Sequence, residues 1–221
     1  MFPLTIIYQH VDFVVIDKPY GISVHRDQEE IGLTTLIAHQ LNVPRVWLVH
    51  RLDKVTSGLL ILALNAQAAQ TLSQLFAQHS IQKTYLALSS DKPKKKQGLI
   101  IGDMDRTRRG MWKLCSTKSN PAITRFYSIS CEPHLRLFIL QPKTGKTHQL
   151  RVAMKSLGSP ILGDQLYGRN SPEIDRTYLH AYRLQFYYQG QHIDIQCLPT
   201  SGQLFNRVNL TYLLAARSFD Y

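Results

Sequence analysis

No stretch of the 221 residues approaches the roughly 18 consecutive apolar side chains that a membrane-spanning helix requires. The opening residues MFPLTIIYQH lack a basic n-region and an apolar h-region, so no secretory signal is expected. Cysteine is scarce. Cys115, Cys131 and Cys197 are odd in number and contain no CxxC pair. Buried free thiols in a cytoplasmic protein are therefore expected, with no disulfide framework and no paired zinc or redox motif. The nine histidines form no HxxxH ligand pair, which argues against metal chemistry. There is no GxSxG elbow and no HxE…PCxxC signature, which argues against an elbow-type serine hydrolase and a zinc deaminase. Charged residues are few, at 19 %, against 44 % hydrophobic. A chain this apolar can bury enough surface to offset its conformational entropy, so disorder is excluded.

What charge there is has one sign and one place. The net charge is +11. Residues 1–91 hold 6 basic and 7 acidic groups, and residues 92–221 hold 20 and 8. Within the second part, residues 92–125 alone carry 10 basic and 2 acidic groups, including Lys92, Lys94, Lys95, Lys96, Arg106, Arg108, Arg109 and Lys113. A one-sided basic surface attracts polyanions by counterion release, which favours nucleic acid as the partner.

The pattern along the chain is α+β. Strands are expected at 4–8, 13–16, 59–64, 84–88, 122–130, 136–140, 178–186 and 192–197. The 59–64 run is continuously apolar and reads as a buried strand. Helices are expected at 34–41, at 66–80 with Asn65 as cap, and at 147–157 with Gly158 just beyond its end. Strands outnumber helices and alternate with them irregularly. That implies a mixed, mostly antiparallel central sheet flanked by helices, in a single domain over 1–221. The one candidate linker is 91–97.

Three constellations could carry chemistry. His50-Arg51-Leu52-Asp53 stands just before the buried strand, with Gly58 allowing close backbone approach. Thr144-Gly145-Lys146-Thr147 lacks the first glycine of a phosphate loop, since position 140 is Leu, so nucleoside triphosphate binding is not expected. It still opens a helix, a natural anion site. On that helix His148, Arg151 and Lys155 share a face, with no acidic residue between Lys143 and Gly163. The third is Lys83-Thr84-Tyr85-Leu86-Ala87, where a lone strand tyrosine is ordinarily core.

Together these segments resemble the RluA-type pseudouridine synthases. HRLDKVTSGLLILA at 50–63 is similar to the family's catalytic motif. Lys18-Pro19-Tyr20-Gly21 through His25, the Lys83–Ala87 segment, Thr144–Arg151 continuing to Pro160-Ile161-Leu162-Gly163-Asp164, and Leu179-His180-Ala181 match further family segments in order. The resemblance spans residues 7–200. It implies a pseudouridine synthase-like fold and roles for three residues. Asp53 matches the catalytic aspartate, Tyr85 the tyrosine that stacks on the target base, and Arg151 the arginine that pairs with the aspartate. Two positions depart from the pattern: Lys146 replaces the usual arginine, and Ala153 stands where histidine is frequent. The matching segment begins almost at Met1, so a stand-alone catalytic domain without an S4-type RNA-binding domain is expected.

The implied reaction breaks the N1–C1′ bond of a uridine, turns the base and joins C5 to C1′. It needs no redox partner, so no cofactor and no metal are expected. The expected substrate is ribosomal or transfer RNA. The phosphate-holding candidates are His50, Arg51, Lys54, Lys143, Lys146, His148, Lys155, Arg106, Arg108 and Arg109. A monomer is the simplest expectation. A non-catalytic RNA-binding or ribosome-assembly factor keeping this fold is the alternative, disfavoured by the intact Asp53, Tyr85 and Arg151.

Overall fold

A computed structural model describes residues 3–24, 32–169 and 172–215. His25 of the early motif lies outside the described residues, as does the side chain of Arg109. In chain order the elements are β1 (Thr5–Gln9), β2 (Phe13–Lys18), α1 (Leu33–Gln40), β3 (Trp47–Leu48), β4 (Ser57–Ala63), α2 (Ala66–Ala77) and β5 (Gln82–Ser89). There follow β6 (Gln97–Gly102), β7 (Met104–Arg106), a 3-10 turn (Arg108–Gly110), β8 (Trp112–Leu114), β9 (Ala122–Glu132) and β10 (Leu135–Pro142). Last come α3 (Gln149–Ser156), β11 (Leu179–Tyr188), β12 (Gln191–Gln196), α4 (Gln203–Arg207) and α5 (Leu210–Ala215).

The chain folds as two compact units, Met1–Tyr85 with Leu179–Cys197, and Leu86–Tyr178 with Leu198–Tyr221. Strand β5 carries the chain from the first to the second. In the first unit the strand order is β1-β2-β4-β11, with β3 on β4 and β12 on β11. In the second it is β5-β10-β9-β6, with β7 and β8 forming a separate two-stranded ribbon. β1–β2, β2–β4, β3–β4, β6–β9, β9–β10, β7–β8 and β11–β12 pair antiparallel, and β4 with β11 parallel. The α+β class with a mixed, mostly antiparallel sheet is thus as the sequence indicates.

The continuous apolar run is explained by burial on both faces. All seven residues of β4 are buried. Leu59, Ile61 and Ala63 pack with Phe13, Val15 and the α2 residues Ala68 and Leu72. Leu60 and Leu62 pack with Val14, Ile16 and the α1 residues Leu33, Ile37 and Ala38. A strand between two helix layers has no solvent face, so alternation disappears. Asn65 does cap α2, its side-chain oxygen accepting from Ala68 N at 2.8 Å. The helix ends at Ala77, three residues short of the expected stop. His79 takes a left-handed φ of 58° there, with His79 N bonded to Phe76 O and Ser80 N to Leu75 O. This double closure is normally announced by glycine. Around α3 the glycine is present: Gly158 has φ 73°, and Gly158 N and Ser159 N bond to Lys155 O and Met154 O.

Strands β6, β7 and β8 have no counterpart among the expected elements. All three lie within the basic stretch: β7 and β8 are three-residue segments that each carry charge, and β6 has only a three-residue apolar run between its glycines, too short to show a period. The Lys92–Lys96 run precedes β6; Lys92, Lys94, Lys95 and Lys96 are exposed while Pro93 is buried. The thiols are free, but only Cys197 is buried; Cys115 and Cys131 are half-buried. No helix among the described residues is long and apolar enough to cross a membrane.

Candidate functional site

In the first unit the segment before β4 is a loop pinned from below. Val49 and Leu52 are buried while Arg51 and Lys54 are exposed, leaving Asp53 half-buried between them. Thr56 N donates to Asp53 O at 2.9 Å, and Gly21 N to Lys54 O at 2.9 Å. Lys18, wholly buried, donates through Nζ to Pro19 O at 2.9 Å, Ile22 O at 2.8 Å and Lys54 O at 3.4 Å. A buried ammonium needs such acceptors. Here they tie the Lys18–Gly21 turn to the loop that carries Asp53. In the sequence Lys18 stands out only as part of a motif; nothing in composition marks a strand lysine as buried.

On its far side the loop is locked to β11. Ser57 Oγ and His180 Nδ1 are 2.8 Å apart, and His180 Nε2 lies 2.8 Å from Cys197 O. Gly58, opposite Ala181, has φ 107°, and a Cβ there would sit 2.3 Å from Ala181 O. The Thr56-Ser57-Gly58 and Leu179-His180-Ala181 segments therefore fit each other with no room for a side chain. Asp17, His180 and Cys197 offer ligand atoms within 4.8 Å of one another. Both His180 nitrogens are engaged, and burial and Asp17 push the Cys197 thiol up to about 12. These donors are committed to holding the unit together.

Tyr85 is half-buried against the α1-side core. Burial first, and the Asp53 charge second, raise its phenol well above the usual tyrosine value. The ring thus stays protonated at neutral pH and feels the carboxylate. Lys83, nearly buried, is lowered by desolvation. His50 departs from its expected role as a phosphate-holding cation. Its Nε2 accepts from Ile61 N at 2.9 Å and its ring stacks on Phe76 at 4.2 Å. Burial, then Lys83, lowers it to about 3, so it is a neutral acceptor fixing the loop to β4.

In the second unit α3 differs from the expected cationic face over an apolar one. Six consecutive residues, Gln149–Met154, are buried. Arg151 is 4 % exposed and forks onto Asp164, with Nε to Oδ2 and Nη2 to Oδ1 both at 2.8 Å. The acidic partner absent between 143 and 163 is the very next residue. Asp164 is wholly buried, and its Oδ1 also accepts from Leu166 N at 3.0 Å and Tyr167 N at 3.2 Å. A Cβ at the preceding Gly163 would stand 2.0 Å from Arg176 O. The helix start is not an open anion site either. Gln149 Oε1 accepts from Lys146 N at 3.0 Å and Thr144 Oγ1 at 2.7 Å, and Lys146 Nζ donates to Asn120 Oδ1 at 2.7 Å. His148, left-handed at φ 57°, caps the helix, so α3 begins at Gln149, not Thr147. Its Nδ1 is 2.9 Å from Tyr167 Oη. Lys143 and Lys155 are exposed, and so are Arg106 on the ribbon and Arg108 at its tip.

A family model described as RNA pseudouridylate synthase matches residues 12–156, most of the chain. The chain belongs to the RNA pseudouridylate synthase family. It is an RNA pseudouridine synthase, an isomerase, of the RluA type. An "Uncharacterized RNA pseudouridine synthase" of Haemophilus influenzae is 70 % identical over 202 residues, 91 % of this chain and 90 % of that protein. The "Ribosomal large subunit pseudouridine synthase D" of Borreliella burgdorferi is 33 % identical over 198 residues, 83 % of this chain but 61 % of that protein. The solved structure of "Human RNA Pseudouridylate Synthase Domain Containing 4" superposes with TM-score 0.75 at 26 % identity, covering 91 % of this chain and 90 % of that one.

Proposed function

We propose that this pseudouridine synthase isomerises uridine in ribosomal or transfer RNA, with Asp53 as nucleophile, Tyr85 under the extruded base and Arg151 as a further catalytic residue. The observation that carries the reading is that Leu52, next to Asp53, and Tyr85 belong to one apolar core. Burial first, and the Asp53 charge second, raise the phenol there. Extruding the uridine costs a few kcal/mol, and stacking on an aromatic ring returns ~1–3 kcal/mol. Attack by Asp53 at C1′ displaces N1 and forms an ester that breaks as C5 of the turned base bonds to C1′, or attack at C6 forms an adduct released after the turn; either way C5 loses its proton and N1 gains one, so the product is an isomer of the substrate. The ribosomal half of the substrate reading draws on relatives named for the large subunit. The whole of 1–221 serves as one catalytic domain, acting as a cytoplasmic monomer, with Arg51, Lys54, Lys143, Lys155, Arg106 and Arg108 around the RNA backbone.

Transcriptome-wide pseudouridine mapping in strains with and without the gene tests this. Defined uridines in ribosomal or transfer RNA should lose modification in the deletion; an unchanged map rejects the substrate assignment. The role of the phenol is tested by Tyr85→Phe. Its ring still stacks, so RNA affinity should hold within about twofold while turnover falls by about 10²-fold, the scale of a proton-transfer group. Single-turnover kinetics separates the two, and unchanged turnover would leave Tyr85 as a stacking platform alone.

A further inference from the structure

The ribbon β7–β8 pairs through Met104↔Leu114, Asp105↔Lys113 and Arg106↔Trp112, and is closed by backbone bonds from Cys115 N to Asp103 O and Asp103 N to Thr117 O at its base and Thr107 N to Met111 O at its tip. A lone two-stranded ribbon is still marginal in water without outside support. Yet the ribbon and its tip present Arg106, Arg108 and Lys113 to solvent. Its return strand is held at Trp112, whose backbone N–H donates to Tyr167 Oη at 2.9 Å. Tyr167 is 3 % exposed and reaches four other residues. Its hydroxyl lies 2.9 Å from His148 Nδ1 at the start of α3. With Trp112 donating, the phenolic proton is directed to His148 Nδ1, which accepts. Its backbone N–H donates to Asp164 Oδ1, the carboxylate that forks onto Arg151. Its ring centroid is 5.0 Å from Arg151 Cζ and 5.8 Å from Lys155 Nζ, within cation–π range. One side chain thus touches the basic ribbon, the cap of α3 and the Arg151–Asp164 pair.

We propose that Tyr167 is a positioning residue for RNA: through its hydroxyl it fixes the arginine ribbon on α3, so that the grip on phosphate keeps register with Arg151. The inference rests on the reading of the ribbon as an RNA-holding element. Tyr167→Phe separates the functions of the residue. It keeps the ring against Arg151 and Lys155 and the Asp164 bond, and removes only the hydroxyl, with its bonds to Trp112 N and His148 Nδ1.

The substrate for the test is total RNA from the deletion strain, read by carbodiimide-adduct primer extension at the uridines that lose modification there. In Tyr167→Phe the RNA concentration for half-maximal rate should rise about tenfold, with the saturating rate within about threefold, the pattern of lost binding rather than lost chemistry. Amide exchange over 104–114 should accelerate about tenfold, since the ribbon opens locally. The melting temperature should stay within about 6 °C, two part-buried hydrogen bonds being lost from a large chain. Unchanged exchange with unchanged half-saturation overturns the proposal. So does a fall in the saturating rate alone, or a melting-temperature drop large enough to account for both effects. An Arg106→Ala/Arg108→Ala variant tests the underlying reading separately. If its half-saturation stays at the wild-type value, the ribbon does not hold RNA and that reading fails, whatever Tyr167→Phe does to exchange.

Discussion

Asp53→Asn is expected to reduce pseudouridine formation at least about a thousandfold while leaving the fold intact, as loss of a catalytic nucleophile does elsewhere. The amide is isosteric and the position is half-buried on a loop that is held also by bonds outside this side chain. Lys18 holds the carbonyl of Lys54, Thr56 N holds that of Asp53, and His50 is held by Ile61 N. None of these bonds involves the Asp53 carboxylate. RNA affinity should therefore hold or improve slightly, because a negative charge is removed from an anion-binding surface. Primer extension on RNA from a deletion strain expressing the variant measures the first effect, and filter binding the second. Full restoration of modification by Asp53→Asn would remove the aspartate from the mechanism.

The largest stability loss is expected from Asp164→Ala. Arg151 and Asp164 are both buried and share two 2.8 Å hydrogen bonds. Removing the carboxylate takes two hydrogen bonds from a buried guanidinium, at a cost of about 3–5 kcal/mol. It also leaves the Leu166 and Tyr167 N–H groups without their acceptor. For a chain of this size the melting temperature should fall by about 10 °C or more. Calorimetry checks this; a fall under about 3 °C would mean that water or another acceptor replaces the carboxylate. Arg151 thus combines a proposed catalytic role with a fixed buried geometry, as expected for a group whose guanidinium must be oriented before substrate arrives.

The sequence made parts of this legible because they are local. The apolar run of β4, the Asn65 cap and the Gly158 stop of α3 each depend on side chains within a few positions. So did the basic excess after residue 91, which is a matter of counting. Other features were illegible for equally physical reasons. His79 and His148 adopt left-handed backbone without glycine, so no residue type announces the end of α2 or the start of α3. His50 looked like a cation beside Asp53, but titration depends on burial, and a string of letters does not show that Phe76 covers the ring.

The sequence by itself determined the family, through motifs matched in order across most of the chain, and that resemblance is what singles out Asp53, Tyr85 and Arg151 as the expected site residues. Tertiary structure decided how the groups are held. Lys18 became a buried clamp rather than a surface charge, and Arg151 left the solvent-facing stripe of α3 for Asp164. Gly58 came to lie against Ala181, a residue from the far end of the chain. Identity of residues is a one-dimensional property, but charge state, exposure and partner are set by which distant backbone segments close over a group and remove its water.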